Sequence, residues 1–304
     1  MTFEEARAQL NLILDDLKVE KGETIYIGVD LARMPLPKIQ VPLTREAMRG
    51  RERDWCAFVL DALLDRLGPN GTLLLPTASN AYGRHGTPYI HEESPAETSA
   101  FCEFVRVQPQ TIRSLHPLLS VGGIGKNASA ILDNVGKAAF GARSPYGRLG
   151  GFDAKFVFLG SGVHALTYGY HLQQVYGVNH MYNKLFNGPV YRGGQLVDGP
   201  WLCCLRYLGA GIERDFAPLE ERAKREGCVN LSDRSPHSMQ SVTVADIDRI
   251  GFRMLEENPW AFVNGPVEVH IAAPGSAPPV VRHRAVWLDW AAGPDGGSIA
   301  RETP

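Results

Sequence analysis

Residues 51–77 read RERDWCAFVLDALLDRLGPNGTLLLPT, and this stretch decides the fold class. Its first part predicts a helix over 51–67, because apolar residues recur there at helical spacing. These residues are Trp55, Val59, Leu60, Leu63, Leu64 and Leu67. The sequence Gly68-Pro69-Asn70-Gly71 ends the helix, and the apolar run after it predicts a buried strand over 72–76. Because a strand is also predicted over 24–27, the helix links two strands as in a β-α-β crossover, which favours a buried parallel sheet.

Other segments extend this alternation of helices and strands. A capping box formed by Thr2 and Glu5 precedes apolar residues at helical spacing and predicts a helix over 3–18. Strands are predicted over 155–159 and 284–290, and a helix over 246–257. We therefore predict an α/β fold with a mostly parallel central sheet flanked by helices. Length alone allows one domain or two. We predict a single domain over 1–264, followed by a Pro- and Gly-rich segment over 265–304 that packs on it or frays.

The composition excludes several classes of protein. Apolar residues make up 44% of the chain and charged residues 21%, which is typical of globular proteins and not of disordered or fibrous ones. The formal net charge of −2 gives no electrostatic drive toward nucleic acid or anionic lipid, so neither partner is expected. The five cysteines are scattered without a C-x-x-C pair, and no metal site is predicted. The acidic N-terminus and the lack of a long apolar run predict a cytoplasmic location.

A polar turn over 111–121 is a candidate binding element. Within eight positions it contains four polar residues, Arg113, Ser114, His116 and Ser120, and Gly122 follows shortly after them. Donors at this density beside glycines can hold an anionic or carbonyl-rich ligand. The alternative is a polar turn whose side chains satisfy nearby backbone carbonyls. A second turn over 142–149 carries two arginines that could meet a phosphate, or it is a solvated loop.

His171 is the candidate for proton transfer. Its segment, 167–174, follows the strand that ends at Leu159 and is predicted to open a helix. Residues at the carboxyl end of a central strand point into the ligand crevice of open α/β sheets. A histidine there can exchange a proton near neutral pH. The alternative is a buried histidine whose ring is satisfied by the protein.

Together these segments resemble the antibiotic N-acetyltransferase family, whose best-known members are the aminoglycoside 3-N-acetyltransferases. The order of elements agrees from about residue 9 to residue 264. The motifs that carry the resemblance are Gly71-Thr-Leu-Leu-Leu-Pro-Thr77, Arg113-Ser-Leu-His-Pro117 with Ser120 after it, and Ser144-Pro-Tyr-Gly-Arg-Leu149.

The resemblance implies direct acyl transfer from acetyl-coenzyme A to the amine of a small-molecule acceptor, without a metal and with a homodimer as one option for assembly. A general base is needed because an amine is mostly protonated at neutral pH. Donors around Ser114 and Ser120 would hold the thioester carbonyl as charge develops on it. The implied catalytic residues are His171, Gln174 and His116. The implied cofactor-binding residues are Asp30, Leu31, Thr77, Arg113, Ser114, Ser120, Val121, Ser144, Tyr146 and Arg148.

Two positions depart from the family pattern. Many members place a glutamate three residues after the histidine, where this chain has Gln174. A neutral amide can orient an imidazole but cannot neutralise the imidazolium. The compensating acid is left open among Asp30, Glu213, Asp215 and Glu220. The family's His-Ser-Ser-Leu run near the pantetheine arm is replaced by Gly28-Val-Asp-Leu31, in which Asp30 is either a substitute contact or a solvated loop residue.

The class of amine that accepts the acetyl group is inferred from the sequence segment 178–188. Its aromatic-x-Lys-x-Phe-x-Gly pattern resembles the family branch found with surface-polysaccharide and secondary-metabolite genes. We therefore expect an amino sugar or related biosynthetic amine, with an aminoglycoside as the alternative. A non-catalytic relative that binds a thioester or a partner is the rival from another class.

Two other kinds of enzyme are weakly supported. A serine hydrolase needs G-x-S-x-G, and the nearest match, Leu159-Gly-Ser-Gly-Val163, lacks that spacing. The neighbouring Cys203 and Cys204 lie in an apolar segment and are more typical of a core than of a thiol nucleophile.

Overall fold

A computed structural model describes residues 1–42, 44–206 and 212–266, together with the backbone of strands at 268–272, 285–289 and 299–301. The α-helices of the described residues are α1 (Phe3–Asp16), α2 (Arg45–Leu67), α3 (Ala81–His85), α4 (Ala100–Arg106), α5 (Ala128–Leu132), α6 (Pro145–Arg148), α7 (Tyr168–Tyr176), α8 (Ala217–Arg225) and α9 (Val244–Glu257). The strands are β1 (Thr24–Val29), β2 (Thr72–Pro76), β3 (Tyr89–Ile90), β4 (Ile112–Arg113), β5 (Val121–Gly125), β6 (Lys155–Leu159), β7 (Met181–Phe186), β8 (Val190–Arg192), β9 (Gln195–Leu196), β10 (Trp201–Arg206), β11 (Asn230–Leu231), β12 (Met239–Thr243), β13 (Glu268–Ala272), β14 (Ala285–Asp289) and β15 (Ile299–Arg301).

The central sheet, as far as the structure describes it, has seven strands in the order β11-β12-β6-β1-β2-β5-β4. β1 pairs in parallel with β2 on one side and with β6 on the other, so that Tyr26 lies opposite both Leu74 and Phe156. The other four pairs are antiparallel. Five strands therefore run in one direction, namely β11, β6, β1, β2 and β4, and two run in the other, namely β12 and β5. The predicted α/β fold with a mostly parallel central sheet is confirmed.

Both faces of this sheet are covered by helices. On one face, Tyr26, Leu74 and Phe156 pack with residues of α5, α6, α7, α8 and α9. On the other face, Ile25 and Val157 pack with α1, α2 and α4. Side chains alternate between faces along a strand, so strands covered on both sides must be apolar throughout. This is why β2 and β6, after Thr72 and Lys155, stand out as apolar runs in the sequence.

The predicted helices and strands are present, with differences of a few residues at their starts or ends. The predicted helix over 3–18 is α1, and its capping box forms as expected, with Thr2 N–H donating to Glu5 at 2.7 Å and Glu5 N–H to Thr2 Oγ1 at 3.1 Å. The predicted helix over 51–67 begins earlier, because the Thr44 side chain accepts from Ala47 N–H and caps α2. The helix predicted over 246–257 likewise begins at Val244, after the capping residue Thr243.

Smaller sheets lie outside the central one. β10 pairs antiparallel with β7, and β3, β8 and β9 form a separate three-stranded sheet. In the C-terminal segment β14 coincides with most of the strand predicted over 284–290, and it pairs with β13 and β15. Residues 284 and 290, and the tail predicted to fray, lie outside the described residues apart from β15. The division at residue 264 stays a prediction. Among the residues that the structure describes, none of the helices has both the length and the apolar character that a membrane span requires.

Candidate active site

A cleft lies beside the carboxyl ends of β1, β2 and β6. It encloses about 500 Å³, and its walls include Asp30, Leu31 and Ala32 from the loop after β1, Pro76 at the end of β2, and Ser161 just beyond β6. Ligands of open α/β sheets bind outside the carboxyl ends of the strands, and small-molecule pockets commonly enclose roughly 300–1,000 Å³. Two further cavities lie at the opposite edge, beside residues that precede β1 and β2. The cleft at the carboxyl ends is therefore the candidate active site.

Asp30 is held in place at the mouth of this cleft. Its Oδ1 accepts a hydrogen bond from Ala32 N–H at 3.1 Å, and its Oδ2 lies 3.3 Å from Arg33 Nε. Asp30 and Leu31 are the predicted cofactor-binding residues that line the cleft. Glu52 of α2 adds a second carboxylate to the lining.

Arg113 is the centre of the first polar turn, and it is buried with 7% of its surface exposed. All five of its N–H donors are used, and the guanidinium lies over the Tyr89 ring at 5.1 Å. The acceptors are the carbonyl oxygens of Thr77, His91 and Ser94 and the hydroxyls of Ser79 and Ser120. Burial lowers the pKa of this guanidinium. The side chain therefore joins the segment after β2 to the turn before β5.

The other predicted residues of this turn are also bonded to the protein. Ser114 Oγ accepts from Val121 N–H at 2.9 Å, which closes the turn between β4 and β5. Ser120 Oγ donates to the Thr77 carbonyl at 2.7 Å and accepts from Thr77 Oγ1 at 3.0 Å. Thr77, Ser114, Ser120 and Val121 are all buried. Their side chains hold two strand ends together.

His116 lies in the same turn and has both ring nitrogens occupied. Nδ1 accepts from the backbone N–H groups of Leu118 and Leu119, at 3.3 and 3.1 Å. Nε2 therefore carries the proton and donates to the Leu202 carbonyl at 3.2 Å. Burial lowers the pKa of His116 to about 4. The neutral ring thus connects this turn to β10 and has no free lone pair.

The second polar turn forms helix α6 and its cap. Ser144 Oγ accepts from Gly147 N–H at 3.1 Å and donates to the Gly141 carbonyl at 2.7 Å. The Tyr146 hydroxyl is buried 3.3 Å from that of Tyr26. Arg148 donates to carbonyls at the end of α5, including that of Asp133 at 2.7 Å. In this arrangement all three predicted residues have partners within the protein.

His171 lies on α7, on the face of the sheet that α5, α6, α8 and α9 also cover. Its surface is 6% exposed, and the rings of Tyr168 and Phe140 lie 4.8 and 6.4 Å away. Nδ1 accepts a hydrogen bond from Gly141 N–H at 3.2 Å, so the neutral ring carries its proton on Nε2. Burial lowers the pKa of His171 to about 4.

The side chain of Gln174 follows one turn later on α7. Its Oε1 is buried and finds no hydrogen-bond partner within the described ranges. None of the four candidate compensating acids is bonded to His171 in the described residues. Asp30 contacts Arg33, Glu213 lies 3.3 Å from Arg206, and Asp215 accepts from Ala217 N–H at 3.0 Å. Glu220 is bonded to His164, with Oε2 2.7 Å from Nδ1.

The pair of His164 and Glu220 was not anticipated from the sequence. His164 lies in a short 3-10 turn, Val163–Ala165, immediately after β6, and Glu220 comes from α8. The sequence feature that could have indicated His164 is its position shortly after a central strand. The same feature led to the choice of His171. Its partner is more than fifty positions away and could not be paired with it without the fold. No group of three or more His, Cys, Asp or Glu side chains in the described part of the chain is placed to hold a metal ion.

Gly147 controls the backbone that binds His171. A Cβ atom at this position would overlap the carbonyl oxygen of Gly141 and approach Ala142 Cα to 2.9 Å. We expect Gly147→Ala to displace Gly141, weaken its bond to His171 and lower the free energy of unfolding by about 1–3 kcal/mol. Urea unfolding measures this loss. Gly150→Ala is the matched control, because a Cβ there meets nothing within 4 Å. Equal stability of the two variants would contradict this role of Gly147.

The chain matches known proteins in sequence. The model of the aminoglycoside 3-N-acetyltransferase family matches residues 49–245. Aminoglycoside N(3)-acetyltransferase III of Pseudomonas aeruginosa is 27% identical over 157 residues, which cover 46% of this chain and 58% of that protein. The match thus spans little more than half of that relative.

Solved structures share the fold. AAC-IIIb in a binary complex with CoASH has a TM-score of 0.66 and 20% identity, with 88% of this chain and 99% of that chain covered. AAC-VIa with bound sisomicin has a TM-score of 0.65 and 21% identity, with 84% and 98% covered.

The fold and the cleft define an α/β protein with a candidate small-molecule site at the carboxyl edge of its sheet. The chain belongs to the aminoglycoside 3-N-acetyltransferase family, as its motifs indicated.

Proposed function

We propose that this protein is a coenzyme A-dependent N-acetyltransferase that transfers an acetyl group from acetyl-coenzyme A to an amine of a small-molecule acceptor. The observation that carries the proposal is the cleft at the carboxyl ends of β1, β2 and β6. Family membership supports the reaction class, and the relative AAC-IIIb, which has the same fold, binds CoASH. The bound thioester supplies an activated acetyl group.

The cleft suits the uncharged arm of this co-substrate. Of the described residues that line it, Asp30 and Glu52 carry charge and none is a lysine or an arginine. The phosphates of coenzyme A would therefore lie outside this part of the cleft. Leu31, Ala32 and Pro76 offer apolar surface to a narrow chain.

The eight other predicted cofactor-binding residues act indirectly in this proposal. The polar side-chain groups of Arg113, Ser114 and Ser120 are bonded within the protein, and so are those of the second turn. We propose that these side chains hold the backbone of the walls, and that backbone N–H groups of the turns receive the developing charge of the carbonyl. The base role that the resemblance implies for His171 is tested together with His164 below.

The acceptor that we propose is an aminoglycoside or a closely similar polyamine. Relatives with matching sequence or fold are aminoglycoside acetyltransferases, and AAC-VIa binds sisomicin. This preference reverses the order drawn from residues 178–188, which favoured an amino sugar. The carboxylates of Asp30 and Glu52 are compatible with a cationic amine near the cleft. Because acetyl-coenzyme A is a cytoplasmic metabolite, the cytoplasm stays our predicted location, and a homodimer stays an option.

The test is turnover with two panels of amines. The purified protein is incubated with acetyl-coenzyme A and either aminoglycosides, such as sisomicin, gentamicin and apramycin, or amino sugars, and free thiol is measured. We expect thiol release that depends on an aminoglycoside. Release with amino sugars alone would restore the other acceptor class. Binding of coenzyme A without turnover of any amine would show a non-catalytic relative.

Filling the cleft provides a separate prediction. Ala32 is exposed and lines the cleft, so Ala32→Trp should obstruct it and raise the Kd for coenzyme A by about tenfold or more, which corresponds to about 1.4 kcal/mol. Calorimetric titration measures the change. Ala8→Trp on the exposed side of α1 is the control and should leave the Kd unchanged. If Ala32→Trp binds coenzyme A as tightly as the control, the arm lies elsewhere.

A further inference from the structure

His164 and Glu220 form a pair at the carboxyl end of β6. Nδ1 of His164 lies 2.7 Å from Oε2 of Glu220, and the backbone N–H of His164 donates to the same oxygen at 2.9 Å. The His164 side chain is 53% exposed, whereas that of Glu220 is 11% exposed. A buried carboxylate therefore holds a ring whose other side faces solvent.

Glu220 is fixed by further donors. Its Oε1 accepts from Gln240 Nε2 at 2.9 Å and from Lys224 Nζ. Burial by itself would raise the pKa of Glu220, but hydrogen bonds from Gln240, Lys224 and His164 lower it to about 2. The carboxylate is therefore ionised at neutral pH.

The approach of the two side chains depends on Gly162. A Cβ atom there would lie 2.6 Å from Oε2 of Glu220 and 3.0 Å from Nδ1 of His164. Real Cβ atoms do not approach other atoms so closely, so a larger residue would separate the pair. The glycine that follows Ser161 thus allows the contact.

The contact determines which ring nitrogen is free. An ionised carboxylate at Nδ1 keeps the proton on that nitrogen, which leaves the lone pair of Nε2 available. His116, His171 and His180 have the opposite arrangement. In His116 and His171 Nδ1 accepts a backbone hydrogen bond, and Nε2 of His180 lies 2.8 Å from the Gln173 carbonyl oxygen. Of these four histidines, His164 is the one whose Nε2 can accept a proton without rearrangement.

His164 is also close to the candidate active site. It lies three residues beyond Ser161, which lines the cleft, and three residues span at most about 11 Å. The Cα atom of His164 therefore lies within about 11 Å of that of Ser161, at the same edge of the sheet as the cleft.

We propose that His164, positioned by Glu220, accepts the proton of the acceptor amine during acetyl transfer, an inference that rests on the proposed function. Nε2 takes the N–H proton as the nitrogen bonds to the acetyl carbon and the carbon–sulfur bond breaks. The imidazolium is stabilised by Glu220, and it returns its proton to the departing thiolate. The products are then the N-acetylated amine and coenzyme A thiol. Glu220 acts as a positioning residue. It supplies to His164 the carboxylate that many family members place three residues after the histidine equivalent to His171, where this chain has Gln174.

The first test compares His164→Ala with His171→Ala, using an aminoglycoside that the wild type acetylates. We expect His164→Ala to lower kcat at pH 7 by about 100-fold or more, with the Kd for coenzyme A changed less than threefold. Added imidazole should restore part of the rate, because the half-exposed position leaves room for a free base. His237→Ala, at an exposed histidine, is the control. A rate within twofold of wild type in His164→Ala overturns the proposal, and so does a loss that imidazole does not relieve.

The second test asks whether Glu220 positions His164 for proton transfer. Removing its charge by Glu220→Gln should lower kcat at pH 7 with little change in the KM for the acceptor, because the carboxylate orients the His164 ring and keeps the proton on Nδ1. Glu220→Asp should keep more of the activity than Glu220→Gln. An equal loss of kcat in the two variants would indicate a structural role for Glu220 and would contradict the proposal.

A third measurement does not need turnover. Nitrogen chemical shifts of the histidine rings distinguish a protonated from an unprotonated Nε2. We expect an unprotonated Nε2 in neutral His164 and a protonated one in His171. The reverse assignment overturns the inference even if the protein acetylates amines. If the shifts agree and the wild type turns over no amine, the proposed function fails, and the catalytic role of His164 with it.

Discussion

Replacing Arg113 with methionine is expected to lower the free energy of unfolding by about 3–5 kcal/mol, because it leaves several buried acceptors without donors. The guanidinium bonds three carbonyl oxygens and two hydroxyls, and it is one of the links between the segment after β2 and the turn before β5. Methionine fills part of the volume but donates nothing. Urea unfolding, followed by circular dichroism, measures the loss.

Arg143→Met is the matched control, since Arg143 is exposed and its replacement should change stability by no more than about 0.5 kcal/mol. Arg113→Lys should fall between the two, because an ammonium has three donors and cannot reproduce the planar fork. If Arg113→Met were as stable as Arg143→Met, the turn would not depend on this side chain.

Acidification from pH 7.5 to pH 5 should remove on the order of 5 kcal/mol of stability, through four histidines that the fold removes from water. Burial lowers the pKa values of His91, His116, His171 and His180 to about 4, whereas the ordinary value in an unfolded chain is 6.5. Below pH 6.5 these histidines therefore bind protons in the unfolded chain but stay neutral in the folded protein. The stabilisation is complete above pH 6.5 and is lost as the pH falls toward 4, at up to about 1.4 kcal/mol per pH unit for each ring.

Urea midpoints measured at intervals between pH 7.5 and 5 show this slope directly. His116→Gln should reduce the slope by up to one proton, although it also lowers stability at every pH because its backbone partners are disturbed. A stability that does not vary over this range would mean that the buried rings titrate normally.

Local sequence features predicted the elements of the fold well where burial is strong. β2 and β6 are covered on both faces, so apart from their first residues, Thr72 and Lys155, they are apolar, and both ends were predicted correctly. The start of α2 was missed because its first turns are exposed and carry charged residues at positions where the apolar pattern is absent. Short strands such as β4 and β11 have too few residues to show a period.

The candidate site was predicted in part. Asp30 and Leu31 line the cleft, because a loop at the end of a central parallel strand must face the ligand crevice. The polar turns were located correctly as clusters of donors, and their acceptors come from other segments of the chain. Whether Arg113 faces a ligand or five protein acceptors is decided by Thr77, His91 and Ser94, which no local pattern connects to it.

The sequence by itself determined the order of helices and strands, the burial of the central sheet and the family, because these follow from local periodicity and from contiguous motifs. The tertiary structure decided which groups are free to react. His171 has its Nδ1 occupied by Gly141, while His164 is paired with Glu220, a residue that sequence reasoning could only place among four candidate acids. A histidine's reactive nitrogen depends on what lies within about 3 Å of its ring, and that neighbour is brought there by long-range packing.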